Sequence, residues 1–258
     1  MSNQIIEVNH QKIYFEYQYS DKHRASLVFL HDSLVSTELW RDFPQKLSQA
    51  LQCNVLVYDR IGYGKSDAMK THIRSQNYME LEADILNEIL SQLNVQKPIL
   101  FGHSDGGTIA LITAAKYPKS IEAVICEAGH IFVEEVTLKG VTDALHAYQT
   151  TNLPQRLSKY HGNKVEMLFK AWTEIWLKDD FKSWNIEYLL PKITCPLLFI
   201  QGEDDEYGTL DQVDKTISKV SGNKDKFIIP NVGHTPHKEV PELVLEKTIS
   251  FVTSLSTD

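Results

Sequence analysis

The strongest constraint on the fold is the alternation of short apolar runs with segments of helical periodicity. The runs at 54–58 and 98–101 place apolar residues at successive positions, which is typical of strands buried on both faces. From Tyr78 to about Asn94, apolar residues instead recur at helical spacing with acidic residues between them. Because parallel strands need helical crossovers, the alternation predicts an α/β fold with a mostly parallel sheet covered by helices on both faces.

The same reading places the other elements along the chain. Further strands are predicted at 5–8, 13–19, 26–30, 121–125, 196–200 and 227–229, and further helices at 37–51, 108–116 and 243–255.

The segment 131–190 interrupts this alternation. It contains no strand-like run and carries many aromatic residues on helical-looking stretches. Two neighbouring rows of apolar residues there have four-residue spacing: Met167, Ala171 and Ile175, and Leu168, Trp172 and Trp176. A helix that is apolar over so wide an arc must bury two faces, one against the main domain and one against its neighbours or a ligand. We therefore expect one core domain (residues 1–130 and 191–258) with a helical insertion at 131–190.

Gly102-His103-Ser104-Asp105-Gly106 matches the G-x-S-x-G nucleophile elbow. The apolar run ends just before Gly102 and the predicted helix begins after Gly107, which is the strand, turn and helix context that this motif requires. A serine hydroxyl is a poor nucleophile at neutral pH and needs a base that a carboxylate orients. The motif therefore predicts that Ser104 is a catalytic nucleophile.

The expected base is His234 and the expected acid is Asp205. Asp205 follows the apolar run at 196–200, and His234 follows the run at 227–229, so both lie where strands of a parallel sheet end. Their order after Ser104 is the order described for this motif. Glu127 is an alternative acid because it also follows a predicted strand, and the competing histidines are His31, His103, His130 and His237.

Four motifs together resemble the α/β-hydrolase superfamily over nearly the whole chain. They are His31-Asp32-Ser33, the glycine-containing stretch 59–66, the elbow around Ser104 and Gly233-His234. The resemblance implies an α/β-hydrolase fold in which 131–190 forms a helical cap over the active site. It also implies that the acid lies three residues after the glycine that ends its strand, which selects Asp205.

The resemblance further implies an oxyanion hole made by the backbone N–H groups of Asp105 and Ser33. Asp32 stands where the family commonly has glycine, and Leu34 is the alternative second donor. The residues expected to line the substrate pocket are His31, Leu34, Trp172 and Trp176.

Charge limits the partners. The chain has 26 Lys and Arg against 34 Asp and Glu, a net charge of −8, and no basic cluster, which disfavours nucleic acid. Asp32 and Asp105 flank the expected oxyanion hole, so we expect a neutral or cationic, partly apolar substrate.

No membrane span and no secretory signal is recognised, and Cys53, Cys126 and Cys195 look like buried structural thiols, so a cytoplasmic location is expected.

The sequence thus predicts hydrolysis of a small ester, thioester or related acyl compound through an acyl-enzyme on Ser104. No cofactor, metal, nucleic acid or membrane partner is expected, and the protein is expected to be a monomer or a homodimer. Two alternatives stay open. The same triad could serve a carbon–carbon bond hydrolase, a lyase or a cofactor-free oxygenase, or the fold could be a low-turnover ligand-binding receptor.

Overall fold

An eight-stranded sheet forms the centre of the computed structural model, which describes residues 2–21 and 24–255. Its strands are β1 (Ser2–Val8), β2 (Gln11–Gln18), β3 (Ser26–Leu30), β4 (Asn54–Tyr58), β5 (Ile99–His103), β6 (Ala123–Glu127), β7 (Leu197–Gly202) and β8 (Lys224–Ile229). The spatial order is β1-β2-β4-β3-β5-β6-β7-β8. The pairs of β1 with β2 and of β2 with β4 are antiparallel, and all other pairs are parallel. The predicted α/β class is confirmed.

Helices cover both faces of the sheet. The helices that the structure describes are α1 (Phe43–Leu51), α2 (Tyr78–Gln92), α3 (Asp105–Lys116), α4 (Glu135–Thr150), α5 (Leu153–His161), α6 (Val165–Trp176), α7 (Leu210–Lys219), α8 (Pro236–Glu239) and α9 (Pro241–Ser254). Short 3-10 turns lie at Thr37–Trp40, Gly162–Lys164, Asp179–Ser183 and Leu190–Lys192. One apolar cluster joins one face of the sheet to α2, α3 and α6, and a second joins the other face to α1 and α9. Buried apolar side chains therefore fill both faces of the sheet, as the continuous apolar strands require.

Two predicted helices begin more than two residues away from their predicted starts. The helix predicted at 37–51 is broken by Arg41, whose φ of 53° is not helical, so a 3-10 turn precedes α1. The helix after the elbow begins at Asp105 rather than after Gly107. A side chain on Gly106 would lie 2.1 Å from the carbonyl oxygen of Leu30, so glycine serves here to bring α3 close to β3.

Helix α7 was not predicted from the sequence. Its apolar positions, Leu210, Val213 and Ile217, do recur at helical spacing, and the Thr209 hydroxyl accepts a hydrogen bond from the backbone N–H of Asp211 as an N-terminal cap. The polar composition of the other positions makes this signal weak.

The segment between β6 and β7 is helical and contains α4, α5 and α6. A single antiparallel bridge between Phe132 and Asn185 brings its two ends together. In the part of the chain that the structure describes, none of the helices combines the length and the apolarity that crossing a bilayer requires.

Candidate active site

Ser104 lies between β5 and α3 in a strained backbone conformation. Its φ of 55° and ψ of −121° are unusual for a residue with a side chain. Its backbone N–H is held by the carbonyl of Glu127 at 2.8 Å, and its own carbonyl accepts the N–H of Thr108 at 3.0 Å. The sharp turn presents the Ser104 hydroxyl to a cavity at the carboxyl ends of the strands.

The three residues expected to form a triad lie in line. The hydroxyl of Ser104 donates to Nε2 of His234 over 3.0 Å, and Nδ1 of His234 donates to the carboxylate of Asp205, with both oxygens at 2.9 Å. The Asp205 carboxylate also accepts hydrogen bonds from the Gln201 amide at 2.7 Å and from the Tyr207 N–H at 2.8 Å. These contacts fix the orientation of the carboxylate toward the imidazole.

The electrostatics of this line favour an ionised acid and a basic imidazole. Burial alone would raise the pKa of Asp205, but the charge of His234, its hydrogen bond and the Tyr207 amide lower it below the ordinary value. Burial alone would lower the pKa of His234, but the charge and hydrogen bond of Asp205 raise it. The imidazole is therefore a stronger base than an isolated histidine.

The loop that carries His234 is braced on both sides. The Glu239 carboxylate accepts hydrogen bonds from the backbone N–H groups of Gly233 at 2.9 Å and Thr235 at 3.0 Å. The carbonyl of His234 accepts a hydrogen bond from Nε2 of His103 over 2.8 Å. His103 thus braces the loop that carries His234, and the hydroxyl of Ser104 donates to His234 rather than to His103.

Glu127, the alternative acid, is paired with a different histidine. Its carboxylate accepts hydrogen bonds from both the backbone N–H of His237, at 2.8 Å, and the ring Nδ1 of that residue. His103, Glu127 and His237 are all buried, and atoms of metal-ligand type lie within 4.8 Å of one another. Because the Nε2–H of His103 and the Nδ1–H of His237 are already used as donors, the cluster fits a hydrogen-bonded network better than a metal site.

The loop after β3 supplies the second expected oxyanion donor. The N–H groups of Leu34 and Val35 both donate to the side chain of Asp32, at 2.7 and 3.0 Å, so Leu34 is not free to act as that donor. Within the described residues, no hydrogen bond uses the N–H of Ser33 or of Asp105. Asp32 is absent from the described residues with positive φ, so the replacement of glycine by aspartate strains no left-handed position.

The two carboxylates beside the expected oxyanion hole lie close to basic side chains. Asp105 is 2% exposed, and its Oδ2 lies 3.7 Å from Nη1 of Arg60 and 4.0 Å from Nη1 of Arg74. Asp32 lies 3.3 Å from Nδ1 of His103. Burial alone would raise the pKa of Asp32, but the hydrogen bond and charge of His103, the charge of Lys238 and the backbone N–H of Leu34 lower it. Both side chains therefore present less uncompensated charge to a substrate than their sequence positions predict.

The cavity in front of Ser104 has a volume of about 230 Å³. It joins groups of the core to side chains of the helical insertion. Its walls are Asp32, Ser33, Leu34, Ser104, Asp105, His130, Thr137, Val141, Trp172, Trp176, Glu206, Tyr207, His234 and Thr235.

Of the residues expected to line this pocket, the structure places Leu34, Trp172 and Trp176 in its wall. His31 is not among them, because it is fully buried and hydrogen-bonded within the core. The wall residues Thr137, Val141 and Tyr207 were missed from the sequence. Thr137 and Val141 are four positions apart on α4, a spacing that could have marked a face turned toward the core.

Known proteins resemble this chain in sequence and fold. The family model described as alpha/beta hydrolase fold matches residues 26–178. The serine hydrolase BPHL of Homo sapiens is 28% identical over 192 residues, which cover 71% of this chain and 64% of that protein. The chain thus spans less than two thirds of the human protein.

Two further likenesses cover nearly the whole chain. The uncharacterized hydrolase YugF of Bacillus subtilis (strain 168) is 24% identical over 268 aligned positions, which cover 93% of this chain and 94% of that protein. MGS-M2, an alpha/beta hydrolase enzyme from a Medee basin deep-sea metagenome library, has a TM-score of 0.78, 22% identity and coverage of 97% of each chain. At that identity the likeness to MGS-M2 shows a common fold.

Proposed function

This chain belongs to the alpha/beta hydrolase fold family, and we propose that it is a hydrolase that cleaves a small ester, thioester or related acyl compound through an acyl-enzyme on Ser104. The observation that carries the proposal is the line from Asp205 through His234 to Ser104, with contacts of 2.9 and 3.0 Å, opening into one cavity. A hydroxyl, an imidazole and a carboxylate in this order are the groups that nucleophilic acyl transfer needs.

Each group has a defined part in the reaction. His234 takes the proton of Ser104 as its oxygen attacks the acyl carbon, and the backbone N–H groups of Ser33 and Asp105 donate to the oxyanion that forms. His234 then gives the proton to the leaving oxygen or sulfur, and the acyl group stays on Ser104. Water, deprotonated by His234, hydrolyses this acyl-enzyme, while Asp205 holds the imidazole in one tautomer.

The size of the cavity supports a small substrate. Pockets for drug-sized ligands have volumes of about 300–1,000 Å³, whereas this cavity has about 230 Å³. Leu34, Val141, Trp172 and Trp176 give it apolar walls. A short, partly apolar acyl or alcohol group suits these dimensions.

The charge of the cavity wall supports a neutral substrate. The described residues that form the wall include no lysine or arginine, and they include the exposed carboxylate of Glu206. A substrate carboxylate would therefore find no cationic side chain in the wall. An ester without a negative charge avoids this unfavourable desolvation.

Labelling with a fluorophosphonate tests the nucleophile. We expect the wild-type protein to be modified at Ser104 and the Ser104→Ala variant to remain unlabelled. The wild-type protein should also hydrolyse the substrate, and the Ser104→Ala variant should not. A wild-type protein that neither labels nor hydrolyses any of a panel of p-nitrophenyl esters and thioesters would instead favour the ligand-binding receptor.

Matched esters test the substrate class. We expect kcat/KM for p-nitrophenyl butanoate to exceed that for the mono-p-nitrophenyl ester of butanedioic acid, which differs by a terminal carboxylate. Glu206→Gln should narrow the difference because it removes the exposed negative charge. A preference of the wild-type protein for the anionic ester would contradict the proposed substrate class.

A further inference from the structure

Arg60 contacts Asp32, whose carbonyl shares a peptide group with the N–H of Ser33, and it also lies close to Asp105. Its side chain is fully buried just after β4. Nη2 donates to the carbonyl oxygen of Asp32 over 2.8 Å, and Nη1 lies 3.7 Å from the carboxylate of Asp105. A guanidinium buried so completely is costly unless it is paired, and here its partners are parts of the two oxyanion loops.

The contact with Asp32 determines where the N–H of Ser33 points. The Asp32 carbonyl and the Ser33 N–H belong to one planar trans peptide, so they point in opposite directions. The carbonyl accepts hydrogen bonds from two fully buried donors, Arg60 at 2.8 Å and Nδ1 of His31 at 2.7 Å. With the carbonyl held toward the core, the N–H of Ser33 faces away from it, toward the cavity that Ser33 lines.

Arg60 also fixes the second donor to this carbonyl. Its backbone N–H donates to Nε2 of His31 over 3.0 Å, so the proton of a neutral His31 ring must be on Nδ1, the atom that faces Asp32. Burial, together with the charge of Arg60, keeps the pKa of His31 well below its ordinary value. The neutral ring therefore has one tautomer, which donates to the Asp32 carbonyl.

The contact with Asp105 concerns charge. Asp105 supplies the other expected oxyanion donor from its backbone, and its ionised side chain would repel the negative charge that develops on the substrate oxygen. Arg60 and Arg74 both lie within 4.0 Å of this carboxylate, and the Tyr78 hydroxyl donates to it over 3.2 Å. Arg74 donates to the Tyr63 hydroxyl and has no hydrogen bond to the Asp32 peptide among the described contacts.

We propose that Arg60 is a positioning residue of the oxyanion hole, which orients the N–H of Ser33 through the Asp32 carbonyl and compensates the carboxylate of Asp105. The proposal rests on the proposed function, since an oxyanion exists only if Ser104 attacks an acyl group. Arg74 also compensates the carboxylate of Asp105 but does not contact the Asp32 carbonyl, so it is a matched control.

The test compares Arg60→Met with Arg74→Met on a neutral p-nitrophenyl ester. Both changes remove one buried guanidinium beside Asp105. We expect Arg60→Met to lower kcat by about 10- to 100-fold with KM within about twofold of wild type, because the oxyanion develops only in the transition state. Arg74→Met should lower kcat by a clearly smaller factor.

A trifluoromethyl ketone gives a readout that a purely structural role would not move. It forms a tetrahedral adduct with a catalytic serine, so its oxygen occupies the oxyanion hole. Across the variants, its inhibition constant should rise by the same factor by which kcat/KM falls. Thermal unfolding of each variant establishes that the comparison is between folded proteins.

His31→Phe is the second variant, and it is the test of the proposal if Arg60→Met does not fold. It retains an aromatic ring beside Tyr63 and removes the other donor to the Asp32 carbonyl. It should show the same selective loss of kcat and of ketone affinity.

Three results would overturn the proposal. The first is unchanged kcat and ketone affinity in folded Arg60→Met, and the second is an equal loss of kcat in Arg60→Met and Arg74→Met. The third applies if Arg60→Met does not fold, and it is unchanged kcat and ketone affinity in His31→Phe. Fluorophosphonate labelling of wild type separates the two levels of inference. Labelled, active wild type with an unaffected Arg60→Met refutes the role of Arg60 alone, and unlabelled, inactive wild type refutes both.

Discussion

Glu127 accepts two hydrogen bonds from His237, one from its ring and one from its backbone N–H at 2.8 Å. This second carboxylate–imidazole pair lies behind the line of Asp205, His234 and Ser104. The ring of His237 is 4.9 Å from that of His103, whose own ring is 5.0 Å from that of His234. Glu127 is thereby committed to His237, and Asp205 is the carboxylate that contacts His234.

The two acids should respond differently to amide substitution. Asp205→Asn should lower kcat by about 10³- to 10⁴-fold, because an amide cannot hold the same tautomer of His234 or stabilise its charged form. Glu127→Gln should keep most of the turnover and lower the free energy of unfolding by about 1–3 kcal/mol. Steady-state kinetics and denaturant unfolding of both variants measure this. Loss of turnover in Glu127→Gln with near-normal Asp205→Asn would exchange the two roles.

The pH profile should report the raised pKa of His234. As pH falls through that pKa the imidazole gains a proton and can no longer accept one from Ser104, so kcat/KM should fall. Because Asp205 raises the pKa of His234 above the ordinary value of 6.5, the acid limb of the profile, where kcat/KM falls with falling pH, should lie above pH 6.5. Removing the carboxylate in Asp205→Asn leaves burial dominant and should move the limb to lower pH. A limb that stays in place in this variant would mean that it reports another group.

His161, at the end of α5, ties the helical insertion to the core. Its Nε2 donates to the carbonyl of Leu34 over 3.0 Å, and its Nδ1 accepts the N–H of Gly64 over 3.0 Å. His161→Leu leaves the buried N–H of Gly64 and the partly buried carbonyl of Leu34 without this partner. It should therefore lower the free energy of unfolding by about 1–3 kcal/mol for each group at neutral pH.

The same residue should make stability depend on pH. Burial lowers the pKa of His161 below its ordinary value of 6.5, so the unfolded chain binds a proton more readily than the folded one. Its contribution is complete above that pH and is lost as pH falls below it. The drop in Tm on acidification should be smaller in His161→Leu than in wild type. The control is His146→Leu, at an exposed histidine of the helical insertion, which should leave both Tm and its pH dependence unchanged.

Val141 should set the length of the acyl chain that the cavity accepts. It is 1% exposed on α4 and forms part of the wall of the 230 Å³ cavity. Val141→Phe should lower the ratio of kcat/KM for the butanoate ester to that for the acetate ester by about tenfold, because a ring there occupies space that the longer chain needs.

Leu145→Phe is the matched control for that change. Leu145 lies on the same helix and borders an outer groove of the insertion rather than the cavity. It should leave the chain-length ratio unchanged. An equal effect of both substitutions would mean that the acyl group does not lie against Val141.

Local sequence patterns predicted much of the fold of this protein. The apolar strands and the helical periodicity predicted the sheet and its helices, because burial on both faces and helix amphipathicity leave their mark within about ten residues. The elbow around Ser104 could be recognised for the same reason, since strand, turn and helix are consecutive. The first residue of α3 could not be predicted in this way, because only the close approach of Gly106 to Leu30 shows why the helix begins directly after Ser104.

The sequence alone determined the α/β class, the position of the elbow and a short set of candidate acids and bases. The choice of Asp205 over Glu127 from the sequence depended on a resemblance, and only the tertiary structure shows which histidine each carboxylate meets. It also revealed the buried contacts of Arg60 and the small cavity under the insertion. Hydrogen bonds and ion pairs act over about 3–4 Å between groups far apart in the chain, so such partnerships exist only once the backbone has brought those groups together.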